Sequence, residues 1–511
     1  MIEAMKKTSL LVLCLLASAT AIAQLPSPLS INSGLIEGEQ ASNSDVMVYR
    51  GIPYAAPPVG NNRWRPPQPV TTWAGVRSAR EFGPGCVQRG YQAASSQLGE
   101  DCLYLNVYTA AKSQDELLPA MLWIHGGGFF SGNSASAIYD AQHLAAKGAV
   151  VITMNYRLGT FGFYAHPELT AESPNNSSGN YALLDMIAAL EWVYDNIAAF
   201  GGDPTNVTVF GESAGAVAIG SLITSPLSRG LIHRAILQSR ADTPELGYTS
   251  RRQPALAQAE AAGLQQMRDF GANSLSDLRA ASPQEIFENF PTGGDVIVDG
   301  WYLPKPMAQI IADGEQHLVY VMAGTNRDEA NFFGPGFPDL ASYNTYVQNE
   351  FGDLAADFMA LYPARNDAEA NAQGKQAFND EMAWLARHLV GAQADWGFES
   401  YAYFFTRVPP GAPERGATHV SELAYVFNQA DQHPEWTDVD KALADTMATY
   451  WVSFARRSTP NGQGIPAWPA FTGNTGGNVQ VLGDQVMTET GMVPLADKLE
   501  FFGRAQAKTL E

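Results

Sequence analysis

A serine held between two glycines is the feature of this chain that most directly suggests chemistry. Residues Gly211-Glu212-Ser213-Ala214-Gly215 follow Val207-Thr208-Val209-Phe210, an apolar run typical of a buried strand. Glycines two positions before and after a serine permit a sharp turn from strand to helix, because a Cβ at either place would clash with neighbouring backbone. Such a turn lifts the hydroxyl of Ser213 out of the sheet, so the pattern predicts a nucleophile.

A serine hydroxyl is a weak nucleophile near neutral pH, and it needs a base, an acid that orients the base, and donors for an oxyanion. The run His125-Gly126-Gly127-Gly128-Phe129 follows an apolar segment at 120–124. Its glycines let backbone N–H groups approach an anionic oxygen without interference from side chains. We therefore expect the N–H groups of Gly127, Gly128 and Ala214 to form the oxyanion hole, and His125 to have a structural role.

The orienting acid is expected in Gly324-Thr325-Asn326-Arg327-Asp328-Glu329, which follows an apolar run at 318–323. A carboxylate there would lie at the carboxyl edge of a sheet, where sites of this architecture form. The chemistry of the residues leaves both Asp328 and Glu329 open.

The base is expected to be His419, which lies in a small-residue loop, Gly416-Ala417-Thr418-His419. His388 falls within a predicted helix and is expected to pack or to lie at the surface. The remaining histidines have no comparable setting: His143, His166, His233, His317 and His433.

Short apolar runs bounded by Gly, Pro and Asn must position these residues. They predict strands at 103–108, 120–124, 150–155, 207–210, 235–238 and 318–323, with amphipathic helices between several of them, such as 181–197. Strands that alternate with helices predict an α/β fold with a mostly parallel sheet. Residues 252–290 and 341–400, rich in Ala, Gln, Leu and Glu, are expected to be helical insertions that roof the site.

The first residues are typical of a secretory signal peptide. Lys6 and Lys7 precede an apolar stretch at 10–17, and Ala21-Ile22-Ala23 precedes Gln24. We expect cleavage after Ala23, export to the periplasm or the medium, and one catalytic domain over 24–511. No later segment reaches about 18 uninterrupted apolar residues, so no membrane anchor is expected.

Composition excludes several classes of partner. The net charge is −21, and loss of the leader, which carries one acid and two bases, makes it −22. Nucleic acid and anionic membranes are therefore not expected to bind. No Cys or His cluster has the spacing of metal ligands, so no metal or cofactor is expected. Once Cys14 leaves with the leader, the two remaining cysteines of an exported chain are expected to pair.

Together these residues resemble the type-B carboxylesterases of the α/β-hydrolase fold, relatives of the cholinesterases. The resemblance covers nearly the whole predicted mature chain. Besides the serine and glycine turns, it rests on Gly51-Ile52-Pro53-Tyr54-Ala55 with Pro57-Pro58, Glu100-Asp101-Cys102-Leu103-Tyr104-Leu105-Asn106, Asn155-Tyr156-Arg157-Leu158-Gly159, and Phe200-Gly201-Gly202-Asp203-Pro204. It implies an α/β-hydrolase sheet, a triad of Ser213, Glu329 and His419, and a Cys86–Cys102 disulfide.

Two positions depart from the family pattern. Gln238-Ser239 is followed by Arg240 where the family usually has glycine. Between Cys86 and Cys102 the chain has Tyr91 but no tryptophan, whereas cholinesterases bind the quaternary ammonium there with one. Cholinesterase activity is therefore not expected. Ser239 is expected to support the triad acid, and Glu212 is a second supporting candidate.

The predicted function is hydrolysis of a small to medium, apolar or aromatic ester through an acyl-enzyme. Aromatic residues near the predicted mouth could hold an apolar group by shape: Phe129, Phe130, Phe161, Phe163, Tyr164, Phe332 and Phe333. A hydrolase of one bulky ester, lactone, carbamate or amide is the alternative, since the same machinery serves all of them. A non-catalytic adhesion relative is a remote alternative, because such relatives typically lose the triad. The oligomeric state is not predicted.

Overall fold

The computed structural model describes residues 25–42, 44–88, 98–240, 253–291, 293–332, 336–411, 413–472, 477–490 and 496–510. The predicted signal peptide lies outside the described residues, as do Tyr91 and Phe333.

The described strands are β1 (Leu29–Ile31), β2 (Gly34–Glu37), β3 (Glu39–Gln40), β4 (Met47–Pro53), β5 (Val76–Ser78), β6 (Gly85–Cys86), β7 (Leu98–Gly99), β8 (Tyr104–Thr109), β9 (Leu118–Ile124), β10 (Val150–Met154), β11 (Gly202–Glu212), β12 (Arg234–Gln238), β13 (Tyr320–Asn326), β14 (Tyr401–Phe405), β15 (Asn478–Leu482) and β16 (Val486–Thr490). The described helices are α1 (Gln142–Ala145), α2 (Gly159–Phe163), α3 (Pro167–Glu172), α4 (Tyr181–Asn196), α5 (Ala214–Thr224), α6 (Leu256–Phe270), α7 (Leu275–Ala280), α8 (Pro283–Asn289), α9 (Met307–Ala312), α10 (Leu340–Phe351), α11 (Ala355–Leu361), α12 (Asp367–Asp395), α13 (Leu423–Val426), α14 (Asp438–Arg457) and α15 (Ala496–Leu510).

One mixed sheet organises the molecule. Its strand order is β16-β15-β14-β13-β12-β11-β9-β10-β8-β4-β3. The strands from β10 to β15 run parallel to one another, while β8, β4 and β3 on one side and β16 on the other are antiparallel to their neighbours. Helices flank the sheet, and the α/β-hydrolase prediction is confirmed.

Alternate residues of the central strands supply separate cores on the two faces of the sheet. Along β9, Leu122 and Ile124 join one apolar cluster, while Met121 and Trp123 join the other. Because successive side chains of a strand point to opposite faces, a parallel strand covered on both sides must be apolar throughout. This is why the central strands could be found as continuous apolar runs.

The two stretches interpreted as insertions are largely helical. Residues 252–290 contain α6, α7 and α8, and residues 341–400 contain α10, α11 and α12. Helix α12 packs on β13 and on α15, and Oδ1 of its Asn379 accepts the N–H of Ala330, 2.8 Å away, in the loop after β13. In the described ranges no helix is long and apolar enough to cross a membrane.

Candidate active site

The loops that follow β9, β11, β13 and β14 carry the chemistry-bearing residues. Since these strands are parallel, their carboxyl ends meet at one edge of the sheet. The sheet thus brings the glycine turn, the serine turn, the candidate acids and His419 to the same edge.

Ser213 lies at the turn between β11 and α5 in a backbone conformation that L-residues rarely adopt, with φ 56° and ψ −121°. Its N–H donates to the carbonyl of Gln238 at 2.9 Å. A Cβ at Gly211 or Gly215 would lie 2.6 or 2.0 Å from the carbonyl oxygen of Ile124. Both glycines are therefore required for β11 and α5 to approach β9 this closely.

The glycine turn presents backbone donors. The carbonyl of Gly127 accepts the N–H groups of Phe130 and Ser131 at 3.1 and 3.0 Å, which fixes the turn. Gly127 and Gly128 have φ values of 103° and 62°, and in the part of the chain that the structure describes their own N–H groups have no acceptor. Ala214 opens α5, so its N–H also lacks an acceptor within the helix. These three groups suit an oxyanion.

His125, at the start of this turn, has a packing role. Its ring stacks on Tyr156 with centroids 4.3 Å apart, and its carbonyl accepts the Tyr156 hydroxyl at 2.7 Å. Burial lowers the pKa of His125 to about 4. The residue is therefore neutral near pH 7, and its packing on Tyr156 supports the glycine turn.

His419 and Glu329 form a buried pair. Nδ1 of His419 lies 2.5 Å from Oε2 of Glu329, and the two residues are 2% and 0% exposed. The other oxygen of Glu329 accepts the N–H of Asn326 at 2.7 Å, and the Asn326 amide donates to the carbonyl of His419 at 3.0 Å. A carboxylate at Nδ1 requires a proton on that nitrogen, so Nε2 is left to exchange a proton with a hydroxyl.

Asp328, the other candidate acid, points elsewhere. Its Oδ2 accepts the N–H of Ala417 at 2.8 Å and pairs with Arg327 at 2.9 Å. It therefore ties the loop that carries His419 to the end of β13. The residue types leave Asp328 and Glu329 open, whereas the geometry places Glu329, and not Asp328, beside the imidazole.

Glu212 faces the other nitrogen of His419. Its Oε1 lies 3.1 Å from Nε2, and the residue is 2% exposed. Ser213 follows it directly, but the contacts of the described residues include no hydrogen bond between Ser213 and His419. Catalytic hydrogen bonds often shorten only when substrate binds, so this arrangement is compatible with proton transfer.

A third carboxylate, Glu422, which the sequence analysis does not predict, completes an acidic cluster with Glu212 and Glu329. Its two oxygens accept the side-chain amides of Gln238 and Asn326 at 3.0 and 2.5 Å, and it is fully buried. Burial raises the pKa of both Glu212 and Glu422. Burial by itself would lower the pKa of His419, but Glu212, Glu329 and Glu422 outweigh it and raise that pKa. Glu422 follows His419 by three residues, and that spacing was the one available signal.

In the described part of the chain, Ser239 contacts the base His419 and not the acid Glu329. Its Oγ lies 3.3 Å from the carbonyl of His419, and its own backbone has φ 55°. Its N–H donates to Gly324 at 2.8 Å, which holds the ends of β12 and β13 together. The residue therefore helps to place the His419 loop.

The other histidines make local contacts. His388 stacks on Trp384 in α12 with centroids 5.1 Å apart. The rest are engaged as follows: His143 with Asp431, His166 with the N–H of Glu168, His233 with the N–H of Val207, His433 with Glu435, and His317 in the core. Of the eight histidines, His419 is the one whose Nδ1 meets a buried carboxylate.

The candidate pocket aromatics divide into two groups. Those that pack in the core are Phe129, Phe161, Phe163 and Tyr164, each less than a tenth exposed. Phe130 and Phe332 are 45% and 46% exposed, and the Phe332 ring lies 5.3 Å from that of His419. Only these two, among the described members, offer apolar surface near the triad.

Cys86 and Cys102 form a disulfide with an S–S distance of 2.06 Å. It closes a loop of the chain of which residues 89–97 lie outside the described ranges.

The chain is similar to known proteins along most of its length. A family model described as "Carboxylesterase family" matches residues 26–493. The chain is 39% identical to a fumonisin B1 esterase of Sphingopyxis macrogoltabida over 90% of this chain and 87% of the relative. It is 34% identical to a para-nitrobenzyl esterase of Bacillus subtilis (strain 168), over 86% of this chain and 91% of the relative. A solved structure titled PNB esterase superposes with a TM-score of 0.80 at 30% identity, covering 94% of this chain and 99% of that one.

Proposed function

Since the chain belongs to the carboxylesterase family and is an ester hydrolase, we propose that it cleaves small to medium, apolar or aromatic esters through an acyl-enzyme formed on Ser213. The observation that carries this proposal is the His419–Glu329 pair, 2.5 Å apart, at the same sheet edge as the strained Ser213 turn. Nucleophile, base and acid are thereby available together.

In the proposed first step, Nε2 of His419 takes the proton of Ser213 as the oxygen attacks the ester carbonyl. The carbonyl oxygen becomes negative and accepts hydrogen bonds from the N–H groups of Gly127, Gly128 and Ala214. Glu329 holds the imidazole by Nδ1 and stabilises its positive charge.

The tetrahedral adduct then collapses, and His419 donates its proton to the departing alcohol. Water enters, gives a proton to the same imidazole and attacks the acyl group on Ser213. The second adduct releases a carboxylic acid and restores the serine. These steps need no group beyond the residues named.

The exposed rings of Phe130 and Phe332 support an apolar or aromatic substrate, since they offer surface beside the reacting atoms. The relative named for para-nitrobenzyl esters favours the same class. A hydrolase restricted to one bulky ester is the second candidate, and the relative named for fumonisin B1 favours it. Amide, lactone and carbamate substrates would use the same residues.

We also propose that the protein is exported. The disulfide supports this, because such bonds persist in oxidising compartments. N-terminal sequencing of the protein from the medium or periplasm should start at Gln24. Recovery of the protein from the cytoplasm alone, with Met1 as its first residue, would contradict the proposal.

The test of catalysis is hydrolysis of p-nitrophenyl esters from acetate to palmitate, together with bulky aryl esters. Wild type should turn over short or aromatic esters, and Ser213→Ala should lose turnover while its thermal unfolding stays unchanged. His388→Ala is the matched control for the base and should retain activity. Turnover of the bulky esters alone would favour the second candidate. A folded wild type that hydrolyses none of the panel would contradict the broad substrate class.

A further inference from the structure

A cavity lies among helices outside the catalytic residues. It has a volume of about 750 Å³ and lies between the end of α9, the second half of α12 and α15. Asn379, which reaches the loop of Glu329, and Asp395, at the cavity, are 16 residues apart on α12. At 1.5 Å per residue Asp395 lies about 24 Å from Asn379 along the helix, and Arg387, eight residues from Asn379, lies about 12 Å from it. None of the residues that line the cavity belongs to the triad or to the oxyanion hole. The cavity is therefore separate from the ester-cleaving site.

Arg387 lines this cavity, and its guanidinium has no hydrogen-bonded partner among the described residues. The residue is 6% exposed, and within the described residues its side chain has neither an ion pair nor a hydrogen bond, and Nη1 is fully buried. The other deeply buried arginines of the described ranges, Arg63 and Arg157, each bind a carboxylate through two nitrogens. An unpaired buried charge is costly, so the contrast indicates that Arg387 is built to receive an anion.

The nearby acids do not satisfy Arg387. Asp380 accepts Lys498 and the Tyr362 hydroxyl, both at 3.0 Å. Burial lowers the pKa of Arg387 to about 10, with Asp380 and Glu489 opposing the effect at a distance. The guanidinium thus stays protonated near pH 7, and it requires a partner that this part of the protein does not supply.

Three aromatic residues contribute to the walls of the cavity. Trp384 stacks on His388, and Trp396 is 56% exposed. Gly314 packs closely against the indole of Trp396, since a Cβ at Gly314 would lie 2.5 Å from that ring. These surfaces suit a ring-sized apolar body rather than a bare inorganic anion.

Acidic residues surround the opening. Asp313, Asp395 and Glu500 line the cavity and are exposed. They repel every anion, but phosphates and dicarboxylates more than a monocarboxylate, because a second negative charge would have no cation to pair with.

We propose that this cavity binds an aromatic monocarboxylate, whose carboxylate pairs with Arg387 and whose ring lies against Trp384 and Trp396. A guanidinium donates two parallel hydrogen bonds to a carboxylate, which strengthens the binding of the ligand and fixes its orientation. The site does not depend on the proposed catalytic mechanism.

Calorimetric titration with benzoate tests the proposal, with benzyl alcohol as the uncharged probe of the same size. Wild type should bind benzoate and not benzyl alcohol, and Arg387→Gln should bind benzoate roughly tenfold more weakly, as expected for loss of a charge-assisted pair. Arg365→Gln, an exposed arginine just before the same helix, is the matched control and should bind as wild type does.

Gly503→Leu provides a second test that leaves Arg387 in place. Gly503 lines the cavity from α15, and its Cβ would meet Trp384 only at 3.7 Å, so the leucine side chain should fill the cavity without unfolding the helix. This variant should also lose benzoate binding and keep esterase activity. Benzoate binding that neither substitution weakens, equal binding of benzyl alcohol, or no binding to wild type would each overturn the proposal.

Discussion

Arg157 and Asp185 meet in the core as one cation and one carboxylate, whereas His419 shares its surroundings with three carboxylates. In the first region two nitrogens of Arg157 lie 2.6 and 2.8 Å from the oxygens of Asp185, and both side chains are almost fully buried. In the second region, Glu212, Glu329 and Glu422 are as deeply buried, but no lysine or arginine among the described residues pairs with any of them.

The difference separates charges that hold the fold from charges that do chemistry. A balanced, doubly bonded pair fixes two segments of the chain: burial raises the pKa of Asp185, but the charge and the hydrogen bonds of Arg157 oppose that shift. An acidic cluster around one imidazole must share protons, because burial and repulsion between carboxylates raise the pKa of Glu212 and of Glu422. Perturbed groups of this kind mark functional sites.

The largest expected effect comes from removing the charge of the acid that orients the base. Glu329→Gln should lower kcat by about ten-thousand-fold, since a neutral amide favours the wrong tautomer of His419 and no longer stabilises the imidazolium. The measurement is steady-state hydrolysis of p-nitrophenyl acetate, with thermal unfolding as the check of folding. Asp328→Asn is the matched control and should keep most of the activity. Equal losses in both variants would contradict the assignment of the acid.

Breaking the balanced pair should instead affect stability. Asp185→Asn leaves the buried guanidinium of Arg157 uncompensated, so the free energy of unfolding should fall by about 3–5 kcal/mol. Urea denaturation followed by tryptophan fluorescence measures this. Glu172→Gln, which weakens partly exposed pairs with Arg65 and Arg279, should cost at most about 1 kcal/mol. A small effect at Asp185 would mean that the pair is not structural.

The sheet and the acidic cluster differ in how far they could be predicted from the sequence. The sheet was predictable because its parallel strands are continuous apolar runs, and β9, β10 and β12 lie within two residues of the predicted bounds. Ser213 and the glycine turn were predictable because glycine spacing constrains backbone locally. Glu422 was not, since its role depends on Gln238 and Asn326, which come from β12 and β13 and meet it only in the folded chain.

The acidic cluster should reveal itself in the pH dependence of the reaction. His419 acts as a base only when neutral, so kcat/KM rises with pH through its pKa. Carboxylates raise that pKa, and Glu212→Gln removes the one that faces Nε2. The acid limb of the pH–rate profile should therefore move to lower pH by roughly one unit. An unmoved limb would mean that Glu212 does not act on the charge of the imidazole.

The smallest expected effect is at Glu422, whose charge also raises the pKa of His419 but acts on it less than that of Glu212. Glu422→Gln should move the acid limb in the same direction by about half a unit. The amide cannot accept from both Gln238 and Asn326, so the free energy of unfolding should also fall by about 1–3 kcal/mol. A merely structural role would lower kcat/KM by the same factor at every pH, whereas an electrostatic role moves the limb. Glu414→Gln, an exposed glutamate in the loop before His419, should change neither quantity, and a shift there would show that the limb reports overall charge rather than the buried cluster.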